Sequence, residues 1–403
     1  MKKFINSLVL ILFIFCLFTM TFTACGADYG KLTVYKIEDL IVGESKEIVY
    51  AFSNEKYKSD IEYSFEGNDI KIENGKVTAL VGGKKVMVTA KSKYHETNFA
   101  VFTLVASKQS NIVTNEVHCW QDYPDAPLDI YFTDEDERNS AVFEYDTSAL
   151  FIDEEALTVK PLRTGNFTVT LSTCYADGAQ FKVISHAAPD KTASKWETGD
   201  YASRLSRAKS HGATIKEQCT EKTTLFIGDS FFDPVEFFKP YISEDIYPDK
   251  DVLICGIGTA TTYFWENYLE KEIITFNKKP ANIVINLGTN NIHNGIGEND
   301  GATAAESLQR LFLVLRKALP DTRFYYFSIA PRGYNTDKVQ ASVTECNRIM
   351  KDFCEDRKDI TFIDVFEIMK DKIRGDNIHP VESAYKSVYA AELAKAGCVI
   401  ADK

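Results

Sequence analysis

The rhythm of the chain changes at Thr223, and this change limits the fold more than any other feature. Beyond it, apolar segments of strand length alternate with helical patterns. Strands are predicted at Thr224 to Ile227, Asp251 to Cys255, Ala281 to Leu287, Arg323 to Ser328 and Ile360 to Val365. Helical patterns cover Thr303 to Ala318, Lys338 to Glu355 and Val381 to Lys395. Parallel strands need long crossover connections, and helices supply them, so this alternation implies a parallel sheet with helices on both faces. Ligands of such sheets bind beyond the carboxyl ends of the strands.

Upstream of Thr223 the pattern is different. From Lys31 to about Ser107 short alternating segments recur, such as Ile61 to Phe65 and Val86 to Ala90, separated by turns containing Gly, Asn and Lys. This is the pattern of a small all-β sandwich. A related pattern returns from Ile152 to Thr173, with Ala156 to Leu162 followed by Gly165 and Phe167 to Leu171, and reads as a weak internal repeat. The expected organisation is therefore a first β module over 25–108, a second over 109–185, a linker over 186–222 and the α/β domain over 223–403. Part of the linker, Tyr201 to Ser210, has helical character.

The N-terminal segment 1–24 reads as a secretion signal. Lys2 and Lys3 precede an apolar run from Phe4 to about Phe22, which ends in Phe22-Thr23-Ala24-Cys25-Gly26. A small residue directly before a cysteine resembles the bacterial lipobox, with Phe22 replacing the usual Leu, and implies that Cys25 carries lipid. The other reading is an uncleaved anchor, since the run approaches the ~20 residues a bilayer requires. Either way the remaining chain is expected on the extracellular face of the cytoplasmic membrane.

Composition removes several functions. With 46 basic and 58 acidic side chains the net charge is −12, and loss of the leader's lysines makes it more acidic, which disfavours nucleic acid as a partner. Besides Cys16 and Cys25, seven cysteines remain at 119, 174, 219, 255, 346, 354 and 398, an odd number for an oxidising compartment. Cys119 and Cys174 either bridge the second β module or stay as two thiols. No C-x-x-C pair and no His/Cys cluster occurs at metal-ligand spacing, so neither a metal nor a cofactor is expected.

Chemistry concentrates at the strand ends. Gly228-Asp229-Ser230 follows the first strand, Gly256-Ile257-Gly258-Thr259 the second, and Gly288-Thr289-Asn290-Asn291 the third. Asp376-Asn377-Ile378-His379-Pro380 lies in the loop after the fifth. Gly-Asp-Ser alone is ordinary turn chemistry. Together with a histidine and a carboxylate three residues apart it gains a catalytic reading. His379 can take the proton of the Ser230 hydroxyl, and Asp376 can fix the imidazole tautomer. An oxyanion would then need fixed donors, for which the Ser230 N–H, the N–H of Gly258 or Thr259 and the Asn290 side-chain amide qualify.

These four blocks resemble those of the SGNH or GDSL-type hydrolases, centred on Ser, Gly, Asn and His in this order, over about Thr223 to Lys395. The resemblance implies a flavodoxin-like three-layer α/β/α fold and a serine esterase. The β modules resemble bacterial Ig-like domains, most clearly around Ile72 to Leu80 and Gly82-Gly83. The chain departs from the hydrolase pattern at three places. Phe231 replaces a Leu, Thr259 follows the second-block glycine, and Asn291 replaces an Asp, which implies altered loop bonding.

Other residues have plainer readings. Asp233, directly before Pro234, is expected to cap a following helix, and His293 to sit in an exposed loop. Tyr263, Phe264 and Trp265 are expected in the core rather than in an aromatic substrate wall, and His95, His118, His186 and His211 have no partner pattern. The leading expectation is an extracellular, lipid-anchored serine esterase that removes small acyl groups, acetyl above all, from carbohydrate or cell-wall glycan, with the Ig-like modules as spacers toward the glycan. An O-acyltransferase with the same acyl-enzyme, or an inactive surface adhesion protein, are the alternatives.

Overall fold

The computed structural model describes residues 30–35, 37, 40, 42–54, 60–81, 85–94, 98–105, 112, 116–175, 178–191, 201–234, 246–274, 276–292, 300–333, 337–355 and 357–403. Cys25, His95 and His293 lie outside these residues. The chain forms two compact units, one of 1–112, 131–143 and 171–179, the other of 113–130, 144–170 and 180–403.

The first unit is built on antiparallel pairs. Tyr50–Phe52 pairs with Leu32–Val34, Lys76–Ala79 lies between Ser45–Glu47 and Ile70–Glu73, and Lys85–Ser92 lies between Ile61–Phe65 and Phe99–Val105. Alternation along Lys85–Ser92 buries Val86, Val88 and Ala90 and turns Met87 outward. Inward-facing side chains, Leu32, Val77 and Leu104 among them, share one core.

In the second unit, five parallel strands form one sheet: β1 (Thr224–Gly228), β2 (Val252–Gly256), β3 (Asn282–Asn286), β4 (Arg323–Phe327) and β5 (Ile360–Ile363). Their order is β2-β1-β3-β4-β5, the flavodoxin-like order, which switches direction at β1. Successive side chains feed two separate cores. Leu225, Ile227, Ile283 and Ile285 enter one, while Phe226, Val284 and Tyr325 enter the other. Only a sheet covered on both faces buries every residue of a strand, as β1 and β3 do.

Helices α1 (Tyr201–Gln218), α2 (Thr262–Tyr268), α3 (Gly301–Ala318) and α4 (Asp337–Glu355) accompany the sheet. The segment expected as a linker thus holds an 18-residue helix, and its Ala208 and Ile215 are fully buried in the sheet's core. The helix expected from Val381 to Lys395 is helical over Glu382–Lys395 but widens into a π turn at Tyr385–Ala390, which carries the neighbouring Tyr385 and Tyr389 rings into the core.

Much of the segment expected as a second β module packs in the same unit as the parallel sheet. Its strand Glu116–Trp120 pairs in parallel with Ala179–His186, and Thr158–Pro161 pairs antiparallel with Ala126–Pro127 and Leu150–Asp153. Two polar ties run from it to the helices. The buried Asp129 carboxylate sits between Arg316, at the end of α3, and Arg357, and the Tyr123 hydroxyl reaches Glu266 on α2. Burying a carboxylate is costly unless charged donors surround it, and two guanidinium groups meet that condition here. Cys119 and Cys174 are free thiols, bonded instead to the carbonyls of Ile184 and Asp136.

Candidate active site

The register of the sheet sets the site. Gly228 lies level with Gly256 on one side and Asn286 on the other, so the segments following β1, β2 and β3 leave the sheet side by side. Both glycines are required by close approach. A side chain on Gly228 would strike the Asn286 carbonyl, and one on Gly256 would strike the backbone of Phe232. The indole of Trp265 donates to the Gly228 carbonyl at 3.0 Å. The Asp229 carboxylate then accepts from the Phe231 N–H at 3.0 Å and caps a short 3₁₀ turn, Ser230–Phe232. Gly-Asp-Ser is therefore turn chemistry, and the turn presents a hydroxyl.

Ser230 Oγ lies 2.8 Å from His379 Nε2, and His379 Nδ1 lies 2.8 Å from Asp376 Oδ2. One loop prepares both partners. Asp376 Oδ1 accepts from the N–H groups of Ile378 and His379, each at 2.9 Å, while Asn377 takes the left-handed conformation at φ +65° that asparagine tolerates. Gly333 packs against Asn377 and donates its N–H to the Asn377 carbonyl at 3.0 Å. Burial would raise the Asp376 pKa, but the His379 and Ile378 amides and the imidazole outweigh it and hold the carboxyl below its ordinary value. The acid stays ionised and fixes the proton on Nδ1, leaving Nε2 to face Ser230.

Of the groups expected to receive an oxyanion, one is already committed. The Ser230 N–H opens the 3₁₀ turn, where no intrahelical acceptor exists. The Gly258 N–H is taken, since it donates to Asp233 Oδ2 at 2.7 Å. Among the described residues no acceptor takes the N–H of Thr259, which adopts φ +62°, a conformation unusual for a β-branched residue, and is exposed at the turn. Its hydroxyl donates to the Gly258 carbonyl at 2.6 Å. Asn290 uses one amide hydrogen on the Ala260 carbonyl at 3.0 Å, which orients the group and leaves a second hydrogen.

Asp233 stands directly before Pro234, and the segment it is expected to cap, 235–245, lies outside the described residues. The fully buried Asp233 carboxylate pairs with Arg207 on α1 and holds the Gly258 N–H, tying the segments after β1 and β2 to α1. Sequence could not reveal this role, because the partner lies 26 residues upstream in a stretch that reads as linker. Tyr263, Phe264 and Trp265 are core residues, at most 1% exposed. His211 Nε2 donates to the Gly256 carbonyl at 3.1 Å, and His118 and His186 stack on each other, hydrogen-bonded at 2.9 Å. Among the described residues no group of three His, Cys, Asp or Glu side chains is placed to hold a metal.

Residues 226–386 match the model of the GDSL-like lipase/acylhydrolase family. This segment is a domain of that family. It spans every strand-end block, from β1 to the His379 loop, and makes the C-terminal domain a carboxylic-ester hydrolase. Among solved structures the chain is similar to a GDSL-like lipase from Bacteroides thetaiotaomicron, at 18% identity over 47% of this chain and 95% of that one, TM-score 0.40. It is also similar to an acetylxylan esterase from Geobacillus stearothermophilus, at 17% identity over 46% and 98%, TM-score 0.37. No curated protein matches the chain.

Asp229 generates a pH prediction. Its second carboxylate oxygen is buried without a hydrogen-bond partner among the described residues, and burial pushes its pKa from 3.8 up to about 7. A carboxyl whose pKa is higher in the folded chain binds its proton more tightly there. Stability is therefore greatest below the ordinary value and falls as pH rises from 3.8 toward about 7. Asp229→Asn keeps the acceptor for the Phe231 N–H and cannot ionise. Its melting temperature relative to the wild type should rise across this window, and parallel curves would contradict the assignment.

Proposed function

We propose that the chain is an extracellular, lipid-anchored serine esterase that removes small acyl groups, acetyl above all, from carbohydrate or cell-wall glycan. The observation that carries the chemistry is the hydrogen-bonded line from Ser230 Oγ through His379 to Asp376, with both links at 2.8 Å. The preference for a glycan rests on the leader-like segment before Cys25 and on the antiparallel β region from Leu32 to Val105, a spacer suited to a polymer near the cell wall.

The reaction follows from the geometry. His379 Nε2 removes the Ser230 proton as Oγ bonds to the ester carbonyl carbon, and the carbonyl π electrons move onto oxygen. The N–H groups of Ser230 and Thr259 and the second amide hydrogen of Asn290 receive that oxyanion; Gly258 is excluded because Asp233 holds its N–H. Collapse of the tetrahedral adduct breaks the bond to the alcohol, which leaves with the proton from His379. A water then attacks the acyl-serine with His379 again as base, releasing the acid and restoring the hydroxyl. Attack by a sugar hydroxyl in place of water would transfer the acyl group instead.

An aryl acetate assay on purified protein, with and without a glycan acceptor, checks this account. Hydrolysis should dominate, and Ser230→Ala should lower kcat by roughly 10⁴-fold or more. Asn290→Ala should cost roughly 10²- to 10³-fold, whereas Thr259→Gly, which keeps the N–H, should stay within about threefold. An active Ser230→Ala protein would refute the mechanism, and acyl transfer outpacing acid release would refute the hydrolase.

The anchor has its own test. Cys25→Ser should abolish incorporation of a labelled fatty acid and release the protein from membranes. Unchanged labelling would place any lipid elsewhere.

A further inference from the structure

Glu266 gathers a buried polar chain that the esterase mechanism does not use. Its carboxylate, on α2, accepts from Arg310 Nε at 2.8 Å and Nη2 at 3.3 Å, and from the Tyr123 hydroxyl. Ser307 Oγ donates to the other carboxylate oxygen at 3.0 Å. A carboxylate can only accept, so the directions of the next bonds follow. The Ser307 hydroxyl must donate to Glu266, which leaves Thr262 Oγ1 to donate to Ser307 at 2.7 Å, and Thr262 Oγ1 in turn accepts from Asn291 Nδ2 at 2.6 Å. Every donor in the chain points toward Glu266.

The far end of the chain is the oxyanion region. Asn291 Oδ1 also accepts the Thr262 N–H at 2.9 Å, and the neighbouring Asn290 amide holds the Ala260 carbonyl at 3.0 Å. These two side chains clamp the 260–262 backbone to the Thr289–Ile292 turn. Asn291, where related hydrolases carry Asp, is the residue the chain requires. A carboxylate at this position could not donate to Thr262, and the one Thr262 hydroxyl hydrogen could not serve both that carboxylate and Ser307. The opposite end lies in the β segment before the catalytic domain. Tyr123 follows the Glu116–Trp120 strand, and Arg310 lies 5.6 Å from the Trp120 ring centroid and 5.9 Å from that of Tyr123.

We propose that Tyr123 is a positioning residue for the ester hydrolysis, acting through Glu266, Ser307, Thr262 and Asn291 to hold the Asn290 amide where the oxyanion forms, so that this β segment is part of the catalytic unit rather than a detachable spacer. The proposal rests on the esterase reading and on contacts within one compact unit. Tyr123 touches no reacting atom. It supplies the donor that completes the Glu266 shell, and removing that donor frees the carboxylate to pull Ser307, and with it the chain, out of register.

A double-mutant cycle on the full chain, with an aryl acetate as substrate, tests this. Tyr123→Phe keeps the ring and its packing and removes only the donor. It should lower kcat roughly 10-fold with KM within about twofold, in protein whose melting temperature stays close to wild type. In an Asn290→Ala background the same substitution should have little further effect, because the amide on which it acts is gone. Glu266→Gln should follow the same non-additive pattern, with a larger first loss. A Tyr123→Phe protein with wild-type kcat would overturn the proposal, as would losses that multiply independently with Asn290→Ala. Wild-type protein that leaves the ester intact would overturn the esterase reading as well, a result distinct from wild-type activity that Tyr123→Phe does not change.

Discussion

The hydrogen bond between Ser230 Oγ and His379 Nε2 joins residues 149 positions apart, and the rest of the site can be understood as what makes that bond possible. Ser230 follows the first strand of the sheet and His379 the last. They meet because the order β2-β1-β3-β4-β5 sends every strand in one direction and gathers the strand ends on one edge. Each partner is fixed before they meet. The Asp229 cap sets the turn of Ser230, and three hydrogen bonds to Asp376 set the plane and tautomer of His379. Preorganisation of this kind spares polar groups the cost of reorienting when charge develops.

A second set of polar groups holds the segments around Ser230. Asp233, buried completely, commits one oxygen to Arg207 and the other to the Gly258 N–H. This leaves the N–H of Thr259, in its left-handed conformation, as the one in the turn after β2 that no acceptor takes among the described residues. Strained backbone persists where surrounding structure over-determines it, and functional sites are where it tends to collect. The Glu266 chain performs a similar service for the turn after β3. Both carboxylates are buried, and both are paired with arginine.

The sheet was legible in the sequence because its signals are local. Apolar runs of strand length followed by helical periodicity predicted all five strands to within two residues at every end, and the four strand-end blocks pointed to a common crevice. The Ser230, His379 and Asp376 set was legible for the same reason: each residue sits in a short motif whose chemistry is complete within a few positions. What the sequence concealed depends on long-range pairing. Only Tyr201 to Ser210 of the linker reads as helical, because the buried face of α1 is narrow, and the packed structure extends the helix to Gln218 with Ala208 and Ile215 in the core. Asp233 before Pro234 carries the local signature of a cap, and its bonds to Arg207 and Gly258, neither of which is near in sequence, leave no local trace. Tyr123 and Glu266 are 143 residues apart and carry no motif at all.

Acid-quenched intact-mass and peptide-mass analysis of the full chain, mixed briefly with an aryl acetate, shows whether Ser230 carries the acyl group. The account predicts a transient acetyl adduct on the peptide containing Ser230, and its loss in Ser230→Ala protein. Turnover of the ester with no adduct on Ser230, or with an adduct on another side chain, would contradict it.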